Sequence, residues 1–342
     1  MNAIFGHDAA ISEFLTAMRG PRMHHAWLIA GPEGVGKAEA ATALAKRLLS
    51  EAAGPDIAGD RIDVPCDHPI GKLVDAHTHP DFVLLDRLPK DIKALREVDR
   101  RDWPRDIERT RNITIEQVRA LGSIFALTPA YSRSRVVLVD SIDVLERGAA
   151  NALLKSLEEP PRGTVFLLIS HAPGRLLPTI RSRCRSLRFD ALDDDAMRAA
   201  LQQALPEIDS AELNALIAAG KGSPGRALGY AGLDLAGLEG LLHNIADSGD
   251  PDNVLRAELA QSLSAKSAQR RYEAFLTRAP AFIADNTRNR SGRALAVALD
   301  AWSAARSLAE SAVRQSLDPQ MTVFALGGHV AGLAPGAKHV KA

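Results

Sequence analysis

The stretch GPEGVGKAEA, Gly31 to Ala40, constrains this chain more than any other, because of what flanks it. It follows HAWLIAGP (25–32), a short apolar run ending in Pro-Gly punctuation, and opens KAEAATALAKRLLS, an Ala/Leu-rich run with helical spacing. Buried strand, glycine loop and helix, in that order, are the setting of a phosphate loop. There, glycines let consecutive backbone N–H groups face phosphate oxygens at a helix N-terminus. Gly31, Gly34 and Gly36 supply the permissive backbone, and Lys37 stands where it can neutralise β/γ phosphates. The pattern continues with a Ser or Thr whose hydroxyl holds magnesium, and this chain has Ala38 instead.

The further runs FVLLD (82–86), RVVLVD (135–140) and TVFLLIS (164–170) are nearly continuous in Val, Leu and Ile. Such runs predict strands buried on both faces, hence an α/β fold with a mainly parallel sheet between helices. LRFD (187–190) reads as the last strand. After it, DDDAMRAALQQAL and SAELNALIAAG read as helices closed by KGSPGRALGY, and the chain is helical again from about residue 235 to about 328. DSGDPD (247–252) offers turn chemistry between them. A chain of 342 residues suggests two or three domains. With 46% hydrophobic but only 4% aromatic residues, its core is expected to be mostly Ala, Leu, Ile and Val.

Lys plus Arg and Asp plus Glu are equal at 42 each, which argues against tight nucleic-acid binding by this chain alone. Residues 86–111 hold nine basic and seven acidic side chains, a near-neutral mixture expected of a solvated surface excursion. Two cysteines, Cys66 and Cys184, make no disulfide framework and point to a reducing compartment. The N-terminus lacks a signal-peptide pattern and no apolar stretch approaches the length needed to span a bilayer, so a cytoplasmic protein is expected.

Hydrolysis needs more than a loop. Asp140, ending RVVLVD, is the candidate second magnesium partner, but Ser141 follows it where a water-polarising Glu would stand. Asp143, two positions further on, is expected to face elsewhere. Nucleotide binding stays possible; turnover is expected to be lost.

Several strings together resemble the clamp-loader branch of the AAA+ ATPases. They are HAWLIAGPEGVGKA, THPDF (78–82), ITIEQVRAL (113–121), ANALLKSLEEPP (150–161), LISHAPGRLLPTIRSRCRSLRF (168–189) and GSPGRAL (222–228). The resemblance covers about residues 3–231 specifically and the rest loosely, through its length and SLDPQMTVFAL. Motor subunits of that branch keep the Ser/Thr and the Asp-Glu pair; this chain lacks both while keeping Ser-Arg-Cys at Ser182, Arg183 and Cys184. The resemblance implies an ATPase-like domain over 1–188, a helical lid over 189–235, a helical collar over 236–330 and a disordered tail over 331–342. It also implies a non-hydrolysing ring subunit of the bacterial replicative clamp loader, set beside gamma/tau motor and delta subunits and helping place a sliding clamp on primed DNA. Arg183 matches the family's arginine finger, supplied in trans to a neighbour. Arg226 matches its second sensor, with a purely structural lid contact as the equal alternative. Cys184 reads as a small packed residue rather than a nucleophile. Family members often carry a four-cysteine zinc module near Cys66. Here Cys66, His68, His77 and His79 offer only C-x-H and H-x-H spacings, poor matches to zinc-ligand pairs, so no metal is expected. No cofactor is required on this reading, although ATP could bind. The rivals are a working ATPase motor subunit, which would need Ser/Thr at 38 and Glu at 141, and a small-molecule phosphate-loop kinase, which leaves the helical C-terminal third unexplained.

Overall fold

The apolar runs become strands because both faces of each are covered. In the computed structural model, which describes residues 4–54, 57, 59, 61–91, 107–131 and 133–335, five parallel strands form one sheet. They are β1 (Ala26–Ala30), β2 (Phe82–Asp86), β3 (Arg135–Asp140), β4 (Thr164–Ser170) and β5 (Arg185–Arg188), in the order β2-β3-β4-β1-β5. The register sets Leu28 beside Leu168 on one side and Ser186 on the other, and Leu84 beside Leu138. Alternate residues feed two apolar layers, as the twofold period of a strand requires. Trp27, Ile29, Leu138, Leu167 and Ile169 pack under α1 (Asp8–Arg19), α2 (Lys37–Ala53) and α3 (Pro69–Asp75). Leu28, Val137, Val139, Phe166 and Leu168 pack under α4 (Ile115–Phe125), α5 (Arg147–Glu158) and the single turn α6 (Pro178–Arg181). The α/β class with a parallel sheet is therefore borne out.

The last strand differs from its expectation. It runs Arg185–Arg188 rather than 187–190, and of its residues only Leu187 is buried. An edge strand needs apolar side chains on one face only, so it carries no continuous apolar run.

The chain divides into two compact units, Met1–Ala200 with Gly222–Gly225, and Leu201–Lys221 with Arg226–Ala342. The second unit is helical. Beyond α7 (Asp194–Ala204), where the division falls, come α8 (Ser210–Gly220), α9 (Pro224–Leu228), α10 (Leu235–Ser248), α11 (Val254–Leu263), α12 (Gln269–Thr287), α13 (Gly292–Gln315) and α14 (Pro319–Ala331). Its core uses Leu238, Leu242, Leu259, Phe275, Ile283, Val323 and Leu326, while α13 buries mainly alanines: Ala298, Ala305, Ala309 and Ala312. The buried Arg278 is matched by Glu239 at 2.6 Å. Few aromatics are needed because small residues let helices approach closely.

Disorder was expected from residue 331, but the start of that tail is packed. Leu333 is fully buried and its carbonyl accepts from Arg290 at 2.8 Å; residues 336–342 lie outside the described residues. Of the charged segment 86–111, residues 92–106 also lie outside them. Its two ends meet, with Arg109 paired to Asp86 at 2.9 Å and Pro89 bridging Arg109 in antiparallel fashion. Among the described residues no helix is long and apolar enough to cross a membrane.

Candidate functional site

Parallel strands bring the carboxyl ends of β1, β3 and β4 to one edge of the sheet, where open α/β sheets place ligands. The loop Gly31–Gly36 leaves β1 at that edge and enters α2, with Gly34 at φ 79° and Gly36, the helix N-cap, at φ 96°. Each of the loop's first five carbonyls has a partner. Lys37 Nζ donates to Gly31 O at 2.7 Å and also to Pro32 O. Ser223 Oγ donates to Glu33 O at 2.8 Å, and Gly225 N to Gly34 O at 2.8 Å. His7 Nε2 meets Val35 O at 3.0 Å while its ring lies 4.4 Å from that of Phe189. Tying down the carbonyls fixes the loop backbone, which suits the loop to an anion.

The glycines do different jobs. Gly34 and Gly36 supply left-handed backbone, whereas Gly31 is needed for close approach: a Cβ there would stand 1.8 Å from Phe189 O. A Cβ on Gly225 would likewise meet Gly34 Cα at 2.8 Å. Lys37 is nearly inaccessible; burial depresses its pKa, against the opposing pull of Asp140 and Asp143. Asp140 is held above the usual carboxylate range, chiefly by burial and despite His171 nearby.

Neither group that would complete a magnesium site is present. Ala38 packs against the apolar layer beneath α2, and Ser141, 6% exposed, is buried beside Asp140. Asp143 is spent elsewhere: it accepts from Ser170 Oγ at 2.9 Å, His171 N at 2.6 Å and Ala172 N at 3.4 Å. The residues present thus fit a phosphate better than they fit a divalent cation.

Arg183 sits in the turn between α6 and β5, two residues before the strand. Ile180 and Cys184 anchor that turn in the apolar layer under α5 and α6. The guanidinium remains one-third exposed and is held by Thr179 O at 2.9 Å, Ser182 Oγ at 3.3 Å and Glu158 Oε1 at 2.7 Å. Burial pushes the Cys184 thiol up to about 12, so it is not a thiolate nucleophile at neutral pH. Arg226 lies exposed on α9 and belongs to the second unit, and burial raises the pKa of Tyr230 near it.

The other metal-ligand candidates have separate structural tasks. Cys66 is exposed, His68 Nδ1 accepts from Gly71 N to cap α3, and His79 Nδ1 accepts from Asp81 N at 3.0 Å. His77 takes a left-handed backbone and its ring lies 6.2 Å from that of Phe82. Among the described residues no group of three or more His, Cys, Asp or Glu side chains is arranged to hold a metal ion. What orders this region instead is Arg47, whose guanidinium reaches Asp63 O at 2.8 Å, Gly59 O at 2.9 Å, Ile57 O at 3.2 Å and the Glu51 carboxylate at 2.5 Å.

Sequence reasoning missed His7, Ser223 and Glu158. The last two lie inside quoted motifs, so their strings were noticed but not their bonds. His7 carried no local signal.

The family model described as DNA polymerase III, delta subunit, matches residues 6–193. The DNA polymerase III subunit delta' of Pseudomonas aeruginosa is 37% identical over 200 residues, 58% of this chain and 53% of that protein. Its Bacillus subtilis namesake is 32% identical over 177 residues, 52% of this chain and 45% of that protein. The tau subunit of Escherichia coli is 31% identical over 204 residues, 60% of this chain and 27% of that protein. A gamma subunit-related protein from Thermotoga maritima is similar in structure with a TM-score of 0.44 at 18% identity, covering 94% of this chain and 99% of that one. The matches span about half the length of the delta-prime relatives. The chain belongs to this family of DNA polymerase III subunits, in its delta-prime branch.

Proposed function

We propose that this chain is a non-hydrolysing subunit of the bacterial replicative clamp loader that completes a neighbour's ATP site with Arg183. The observation that carries the reading is a contrast. The chain keeps a fully tied phosphate loop, yet Ala38 and Ser141 stand where magnesium and water chemistry need side chains, while Arg183 is presented on an anchored, exposed turn. A subunit built this way can bind a nucleotide as structure, through Gly34, Gly36 and Lys37, with Asp140 as a further candidate, and add its charge to hydrolysis elsewhere. Its partners on this reading are gamma/tau and delta subunits, acting with the sliding clamp on primed DNA in the cytoplasm. The division into ATPase-like domain, lid and collar belongs to the same proposal. Zinc is not required, which elemental analysis of the purified protein checks.

An arginine supplied in trans is worth about 10³–10⁵ in rate in GTPase systems. Only one of several ring sites loses it here, so the effect on the whole complex is partial. A reconstituted loader carrying Arg183→Ala should assemble normally but lose part of its DNA-stimulated ATPase and more of its clamp loading. Arg181→Ala serves as the neighbouring control. If both variants match wild type in both assays, the trans role is wrong.

A working motor subunit is the second reading, favoured by the tau relative. Steady phosphate release by the isolated protein, abolished by Lys37→Ala, would decide for it.

A further inference from the structure

The Arg183 guanidinium has two acceptors on its own turn, Thr179 O and Ser182 Oγ, and an ion-pair partner from another element, the Glu158 carboxylate. Glu158 is the last residue of α5 and is followed by Glu159 and the Pro160-Pro161 pair, which prevents the helix from continuing. Its Oε1 lies 2.7 Å from a terminal nitrogen of Arg183. The turn backbone is pinned by Ser182 N to Pro178 O at 2.9 Å and Arg183 N to Ile180 O at 3.1 Å. What can move is therefore the arginine side chain. Carboxylate and phosphate compete for the same guanidinium fork, so an arginine paired with Glu158 must exchange that partner, or share it, to reach a phosphate.

We propose that Glu158 is a positioning residue for Arg183, holding its guanidinium against the end of α5 until a phosphate oxygen of the neighbouring site takes the carboxylate's place. This rests on the trans role of Arg183 given above. Both side chains are reached by water, at 34% for Arg183 and 48% for Glu158, so the restraint is weak enough to be exchanged. An ion pair of this exposure holds its partner by up to about fivefold.

The test uses the reconstituted loader. Glu158→Gln keeps the size of the side chain and its ability to accept a hydrogen bond, but removes the competing charge. The kcat/KM of DNA-stimulated ATP hydrolysis should rise by up to about fivefold, diluted by the unaffected sites in the ring. The rise should shrink as salt is added, because wild type is then released by screening. It should vanish in an Arg183→Ala background, where a purely structural Glu158 would still show its effect. Matching melting curves for Glu158→Gln and wild type keep folding out of the comparison. If Arg183→Ala impairs the loader while Glu158→Gln leaves or lowers kcat/KM, Glu158 does not restrain the arginine, and the trans role stands without it. If Arg183→Ala changes nothing, both fall together.

Discussion

Replacing Arg47 by Met asks how much one buried guanidinium contributes to the first unit. Arg47 is 1% exposed and ties Ile57, Gly59 and Asp63 carbonyls to the middle of α2, with Glu51 completing its shell. Met keeps the volume of the stem and removes every donor. Breaking a fully buried ion pair costs about 3–5 kcal/mol, but two features lower the figure here. Gly59 and Asp63 are exposed, so water can replace the guanidinium at their carbonyls, and Glu51 retains Arg19 at 3.1 Å. The expected loss is about 2–3 kcal/mol. For a unit of this size that lowers Tm by about 4–12 °C, readable by calorimetry, and exposes the chain around Asp63 to protease. Arg47→Lys should recover less than half, because an ammonium cannot serve four acceptors in a planar fork. A melting temperature for Arg47→Met within about 2 °C of wild type would refute the claim that this side chain orders the loop.

Two other perturbations probe the loop and the acid beside it. Gly31→Ala must displace the Phe189 carbonyl that a Cβ would meet at 1.8 Å, so it should cost about 3 kcal/mol or more. Gly36→Ala meets no atom within 4 Å and should cost only about 1–2 kcal/mol for its left-handed backbone; equal denaturation midpoints would show that the two glycines do the same job. Asp140→Asn should raise thermal stability at neutral pH. The folded-state pKa of Asp140 lies above its ordinary 3.8, so the acid favours folding only while protonated, and that contribution is lost as pH rises through the raised value. The gain from Asn should therefore fade as pH falls toward 3.8, and a variant less stable than wild type at neutral pH would contradict the burial argument.

Local sequence determined the central strands and the position of the loop, because those features follow from short-range rules. β2, β3 and β4 begin and end where their apolar runs do, since a strand buried on both faces must be apolar throughout. The absence of a hydroxyl at Ala38 and of an acid at Ser141 is likewise a property of residue identity alone. Tertiary structure decided the rest. β5 sits at an edge with one buried residue, so its bounds could not come from an apolar pattern. Gly31 looked like a phosphate-loop glycine, but the constraint on it lies 158 residues away in sequence, at Phe189 just beyond β5. Lys46 and Arg47 are adjacent charges in an Ala/Leu-rich helical run, yet both are buried because loop carbonyls and Asp75 come to meet them. The partners of the phosphate loop, His7, Ser223 and Gly225, and the pairing of Arg183 with Glu158 are contacts between distant segments. A single side chain carries no record of which distant group will satisfy it; that is set only when the sheet order brings the segments together.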